Sequence, residues 1–229
     1  MKKTVYFYVL LICYQFEIFA VQFYSQFYQD QYVYENFFQD KTEGVFIDIG
    51  AHDGIAFSNT KFFEEQGWTG ICIEPIPEVF DRLKTNRSAI CIQGCIADSR
   101  GTGLFLKCEG YTEMLSGLYK NYHPEHLERI KNEQKIYGGT TELIEVQLYK
   151  LNDLLKEHHM FHVDYLTIDT EGNELDILKS IDFDRFDIDV IDVENNYNDK
   201  TLSNFLISKG YKEITKLGCD TIFKKKYKN

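Results

Sequence analysis

VFIDIGAHDG, residues 45–54, reads as a buried strand running into a glycine turn. Val45, Phe46, Ile47 and Ile49 are apolar strand formers, Asp48 interrupts them near the end, and Gly50 and Gly54 bracket the turn. Glycine permits backbone conformations and close approaches that a Cβ would block. Such a loop leads to the amino end of a helix and holds a nucleoside cofactor. Its dinucleotide form is G-x-G-x-x-G, where the second glycine lets a pyrophosphate lie against the backbone. Here His52 occupies that place. Its imidazole obstructs a pyrophosphate and Asp48 repels one, so the loop points to a cofactor without phosphate. S-adenosylmethionine fits. Its amino group and sulfonium are cationic, and an acidic strand end with the loop amides of Gly50, Ala51 and His52 can hold its amino-acid end. An ordinary tight turn is the competing reading of so short a match.

Downstream, a helical stretch over about 60–67 leads to GWTGICIEPIP, a second buried strand at 70–73 that ends in Glu74 and is stopped by Pro75. Glu74 therefore stands at a strand end close to the spacing at which Rossmann-type folds place an acid on ribose hydroxyls. A third strand is expected over 90–96, followed by Ala97 and Asp98. Near the other end, DYLTIDTEGNELDIL at 164–178 repeats the pattern: a strand ends at Asp169, Gly172 turns, and Leu175 and Leu178 recur at helical spacing. Asp169, Glu171 and Glu174 crowd this junction. Glu174, in the first helical turn, complements the helix dipole.

Taken together, these segments resemble the FkbM-type methyltransferases, a family within the class I S-adenosylmethionine-dependent fold. The resemblance rests on YSQFYQDQYVYENFF at 24–38, FIDIGAHDG at 46–54, CIEPIPEVFDRLKTN at 72–86, ICIQGCIADSRGTGLF at 90–105 and DYLTIDTEGNELDIL at 164–178, in the family's order. It covers about 24–223. It implies that the first three strand ends carry the cofactor and that the D-x-E-G loop lines the reaction cleft. It also implies that Asp98 and a neighbouring amide, that of Ala97, serve the adenine, and that Gln26 and Asp30 lie near the methionine end. The cofactor set expected is thus Gln26, Asp48, Gly50, Ala51, His52, Gly54, Glu74, Pro75, Ala97 and Asp98.

Methyl transfer to an acceptor oxygen needs alignment and a base for the hydroxyl proton. Asp169, Glu171 and His52 are the candidate bases, with Asp169 the first choice and Glu171 as its partner or alternative. Clustered carboxylates could instead hold Mg²⁺, which nothing in the sequence requires. Two other classes compete. One is an NAD- or nucleotide-dependent oxidoreductase or epimerase, disfavoured by His52. The other is a module that kept the cofactor fold and lost the chemistry.

The chain has 229 residues, 44% hydrophobic, with no linker or repeat to divide it, which suits one domain. Alternating strands and helices predict an α/β, Rossmann-like, doubly wound and mostly parallel sheet. GYKEITKLG and DTIFKKK read as a C-terminal antiparallel hairpin. A tyrosine- and charge-rich insertion at about 108–139 interrupts the pattern, with a short amphipathic helix starting near Pro124. It reads as a solvated surface helix, or as a lid over the acceptor. Upstream, Phe23, Phe27, Tyr34 and Phe38 form a stripe on a helix expected over 26–38, with Ser25 as its cap.

Residues 1–21 are a separate hydrophobic segment, MKK followed by about eleven mostly apolar positions, and the domain is expected over 22–229. The segment is short for a membrane span and suits a membrane-associating element, with a cleaved secretory signal as the alternative. The six cysteines show no disulfide framework, and Cys72, Cys91 and Cys95 fall in core strands. A reducing, cytoplasmic or membrane-associated location follows. A net charge of −11 lacks the footprint of a nucleic-acid binder, so a small-molecule or glycan hydroxyl is the expected acceptor. The KKKYK tail at 224–228 reads as a solvated terminus, or as a contact to an anionic membrane.

Overall fold

The computed structural model describes residues 21–196 and 200–227. In chain order it forms α1 (Gln29–Val33), β1 (Val45–Ile49), α2 (Lys61–Glu65), β2 (Thr69–Glu74), α3 (Pro77–Asn86), β3 (Ile90–Gln93), β4 (Cys95–Ile96), β5 (Gly101–Cys108) and β6 (Gly117–Leu118). Then follow α4 (Pro124–Tyr137), β7 (Thr141–Tyr149), α5 (Leu151–Glu157), β8 (His162–Ile168), α6 (Glu174–Ser180), β9 (Asp187–Glu194), α7 (Lys200–Ser208), β10 (Tyr211–Leu217) and β11 (Asp220–Lys225).

Seven strands make the main sheet, in the order β3-β2-β1-β8-β9-β11-β10. All run parallel except β11, which is antiparallel to both β9 and β10. The expected parallel sheet and terminal hairpin are both present. Its central strands are apolar on both faces because both are covered. On one face Phe46, Cys72 and Tyr165 pack with Phe62 and Phe63 of α2 and Leu83 of α3. On the other, Ile47, Ile71, Leu166 and Ile191 pack with Leu155 of α5, Ile177 of α6 and Leu206 of α7.

One expected strand, 90–96, is two. Gly94 breaks it with φ 149°, and a Cβ there would lie 2.6 Å from the Gln147 carbonyl oxygen. The chain leaves the main sheet at this point, and Cys95–Ile96 pairs with β7 in a second, four-stranded sheet ordered β4-β7-β5-β6. Antiparallel pairing of β5 with β7, from Gly101–Leu148 to Cys108–Thr141, forms its body. The insertion departs from the end of this hairpin.

The N-terminal helix is shorter than its aromatic stripe suggests. Tyr28, in the left-handed region at φ 65°, precedes α1, and a wider π-helical turn, Tyr34–Phe38, follows it. Ser25 does not cap it. Its hydroxyl donates to Asp30 Oδ1 at 2.5 Å, while Asp30 Oδ2 accepts from the Tyr24 amide at 2.6 Å. Phe23 packs on Phe62 at a tilt, Tyr34 meets Phe62 edge to face, and Phe38 packs on Trp68. Phe27 leaves the stripe and faces the cleft described below.

The basic tail is also more than a solvated end. Lys224 and Lys225 lie in β11 and pair with Asp189 and Asp187. Beside them His162, at the start of β8, spans Asp164 at 3.2 Å and Asp187 at 3.1 Å. Although burial opposes the charge, these two carboxylates raise the His162 pKa above 6.5. A raised folded-state value contributes stability that is complete below about pH 6.5 and is lost as pH rises through it. The ring is 47% exposed, so screening limits the effect to below about 1 kcal/mol. His162→Asn should therefore lower the melting temperature slightly at about pH 5.5 and leave it unchanged at about pH 8.5. An equal loss at both values would exclude the charge as the cause.

The hydrophobic segment expected at 1–21 falls almost wholly outside the described residues. Among those described, no helix is long and apolar enough to cross a membrane. Their five cysteines are free thiols.

Candidate functional site

A cleft of about 650 Å³ opens over the carboxyl ends of β1, β2, β8 and β9 and is roofed by the insertion. In open parallel sheets ligands bind at these ends. Gly50, Ala51 and His52 form one wall. Gly50 has φ 89°, and a Cβ there would lie 1.8 Å from the Asp169 carbonyl oxygen, so the β1 and β8 turns meet only because this side chain is missing. The Gly50 and Ala51 amides both donate to the Ile73 carbonyl at 3.0 Å. They clamp the turn.

Glu74 ends β2 inside the cleft, 5% exposed, with Oε1 accepting from the Ile76 amide at 2.8 Å. Burial pushes its carboxyl up to about 8. Pro75 and Gln26 also line the cleft. Asp48 sits beneath, accepting from Thr60 Oγ1 at 2.5 Å and facing Arg87 at 3.8 Å. Burial raises its pKa, and Arg87 works against that rise.

Three expected cofactor residues lie elsewhere. Gly54 packs on α3, where a Cβ would come within 2.5 Å of Arg87 Cγ. The Ala97 amide is spent on the Tyr149 carbonyl at 2.8 Å. Asp98 is exposed and accepts from Ser99 Oγ. Because the strand breaks at Gly94, it is Gly94, Cys95 and Ile96 that reach the cleft. Asn173 holds this segment by donating to the Ile96 carbonyl at 2.8 Å. Asp30 is fully buried under Tyr24 and Ser25 and does not line the cleft.

The opposite half is acidic. Asp169 directly follows β8, its amide donating to the Ile49 carbonyl at 3.0 Å, and its side chain opens to the cavity though protein surrounds it otherwise. Glu171 is held at φ 57°, a costly conformation for a residue with a side chain, before Gly172 at φ 124°. Glu174 closes this loop by accepting from the Thr170 and Gly172 amides at 3.0 Å, so its role is to fold the turn. Glu194 ends β9 and accepts from Asn196 at 2.6 Å. Carboxylate oxygens of Asp169, Glu171 and Glu194 lie within 4.8 Å of one another. Burial raises all three pKa values, and their mutual repulsion adds to the rise for Glu171 and Glu194, as Asp220 and Glu174 do for Asp169. Proximity alone assigns no ion to them.

The insertion is part of this site. Glu113, from a 3-10 turn at Gly110–Leu115, accepts from Arg82 at 2.6 Å and contacts His52 Nε2 at 2.8 Å. His52, a candidate base, is thereby tied to the roof. Arg129 and Glu133 of α4 line the cleft, so this helix, expected as a solvated one, presents a face to it. Sequence reasoning missed Arg87, Glu113, Arg129, Glu194 and Asn196. Glu194 had a signal: DIDVIDVE ends in an acid as the other two strands do.

Residues 48–213, more than half of the chain, match the family described as Methyltransferase FkbM domain. The matched span begins at Asp48 and takes in Glu74, Asp169, Glu171 and Glu194. No curated protein matches the chain at a significant level.

Proposed function

The chain belongs to the FkbM methyltransferase family, and from that premise we propose that it transfers a methyl group from S-adenosylmethionine to a hydroxyl of a small neutral or glycan acceptor. The observation that carries this reading is the charge of the cleft. Seven carboxylates and a single guanidinium, that of Arg129, line it among the described residues. A diphosphate would meet repulsion there, whereas a cationic cofactor would be attracted and would draw the raised acids into their charged form. Glu74, fixed by the Ile76 amide, suits two ribose hydroxyls as donors to its carboxylate. Gln26 and Asp48, at the β1 end, suit an ammonium group.

When bound, S-adenosylmethionine supplies a methyl group whose bond to sulfur breaks, leaving the electron pair on sulfur, as the bond to the acceptor oxygen forms. The protein's share is to hold the acceptor and take its proton. Asp169 is the carboxylate most open to the cavity, so its oxygen receives the hydroxyl proton. Glu171, Glu194 and Asn196 offer acceptors and a donor for further hydroxyls. An anionic acceptor would be repelled, which favours a neutral polyol or glycan.

Calorimetry on the full chain tests the cofactor. S-adenosylmethionine and S-adenosylhomocysteine should bind, and Glu74→Gln should weaken both by about 10- to 100-fold, the loss of roughly 1.5–3 kcal/mol in charge-assisted hydrogen bonds. The deprotonated carboxylate is the form that accepts from hydroxyls, so affinity should rise with pH through about 8 in the wild type and not in Glu74→Gln. Binding of NAD alone would end the proposal.

A further inference from the structure

His126, on α4, is 2% exposed and lies at the acidic end of the cleft. Its Nε2 is 3.1 Å from the Leu115 carbonyl, which can only accept, so this nitrogen carries the hydrogen. The Tyr122 ring stacks on the imidazole at 4.8 Å, and its hydroxyl donates to the same carbonyl at 2.7 Å. Tautomer and ring plane are therefore both fixed. Desolvation lowers the His126 pKa and favours the neutral ring, whose remaining nitrogen, Nδ1, presents a lone pair.

That nitrogen lies 3.4 Å from Glu171 Oε2. A carboxylate there would set lone pair against lone pair. One proton, on Glu171 or on Nδ1, turns the contact into an attraction. The other charged groups around the ring are Arg129 and Glu133 of its own helix, whose effects on it oppose each other. On the far side of Glu171 stand Asp169 and Glu194. Glu171 thus links the cleft acids to a buried base supplied by the insertion.

We propose that Glu171 and His126 are a proton-sharing pair, in which His126 Nδ1 takes up the proton that leaves the acceptor hydroxyl. The inference rests on the methyl-transfer reading above, and His126 is a positioning residue that acts through Glu171. The hydroxyl O–H bond breaks and its proton binds Asp169. Within the cluster a proton passes to Glu171 as the Asp169 O–H bond breaks. As the other oxygen of Glu171 takes that proton, the Oε2–H bond of the resting pair breaks and Nδ1–H forms, leaving Glu171 still protonated, on its second oxygen, beside an imidazolium. Water takes the proton when the product leaves.

Long-range proton–nitrogen NMR on the full chain, labelled at its six histidines, reads this directly and needs no acceptor. His126 should be the Nε2–H tautomer in the wild type. In Glu171→Gln its pKa should fall by about one unit, because the carboxylate that favours imidazolium is gone, while the other five hold their values. An Nδ1–H tautomer in the wild type, or a titration indifferent to Glu171→Gln, overturns the pairing. His126→Gln keeps an amide donor for Leu115 and removes Nδ1. It should bind S-adenosylhomocysteine as the wild type does, yet lose at least about tenfold in kcat at unchanged KM, with an altered pH profile. Normal kcat overturns the role. If no form of the protein binds S-adenosylhomocysteine, the methyl-transfer reading fails, and the NMR result stands apart from it.

Discussion

Arg87→Met is expected to destabilise the protein by about 3–5 kcal/mol, the loss found when one partner of a buried ion pair is removed. The Arg87 side chain is wholly buried. Its Nε pairs with Glu64, Nη2 donates to Thr60 Oγ1 at 2.9 Å, and Nη1 reaches the Gly54 carbonyl and Ser58 Oγ at 3.3 Å each. Its guanidinium also lies 5.3 Å from the centre of the Phe46 ring. Methionine matches the volume and some of the packing, so the cost isolates the stranded Asp48 and Glu64 carboxylates. Both stay buried with no cation. Since Arg87 grips 54–60 from below, the variant should also loosen the β1 turn and weaken cofactor binding. Denaturant titration measures the first effect and calorimetry the second. Adding Glu64→Gln should recover part of the loss. Arg87→Lys keeps the charge and loses the planar fork, so it should fall between. A loss below about 1 kcal/mol in Arg87→Met would show that Asp48 and Glu64 find water instead.

Arg87 also shows where a sequence ceases to be legible. VFIDIGAHDG and DYLTIDTEGNELDIL declare themselves because apolar strands end abruptly at an acid and a glycine, and local order alone places Asp48, Gly50 and Asp169 in the cleft. The same reasoning placed Glu74. Ala97 and Asp98 stand outside the cleft lining because nothing local announces that Gly94 turns the chain into a second sheet. The close approach of Gln147 and Tyr149, far along the chain, imposes that turn. Gly54 looked like a cofactor glycine and is a packing glycine, for a reason lying 33 residues away in Arg87. His126, Arg129 and Glu133 sit on a helix whose charge suggested solvent. Only the folding of the insertion over the sheet ends reveals that one side of it meets Glu171.

Asp169→Asn should reduce methyl transfer by about 10²- to 10⁴-fold, the usual worth of a general base, while S-adenosylhomocysteine binding stays within a few-fold of the wild type. The two side chains are nearly isosteric, and the amide keeps an oxygen acceptor where the carboxylate had one. What it cannot do is take the hydroxyl proton. Radiolabelled methyl transfer to a panel of neutral glycosides and polyols measures the first quantity, and calorimetry the second. Stability separates this loss from simple damage. The Asp169 pKa is raised in the folded protein, chiefly by burial and then by Asp220 and Glu174. An acid with a raised folded-state pKa withdraws stability as pH climbs from its unfolded value, about 3.9, through the raised one. Asparagine makes no such withdrawal, so the variant should be at least as stable as the wild type at neutral pH, with its advantage growing as pH rises through that window. A protein that is firmer, still binds the product cofactor and no longer turns over has lost its base. Turnover that survives the substitution would pass the role to Glu171, whose carboxylate already has His126 behind it.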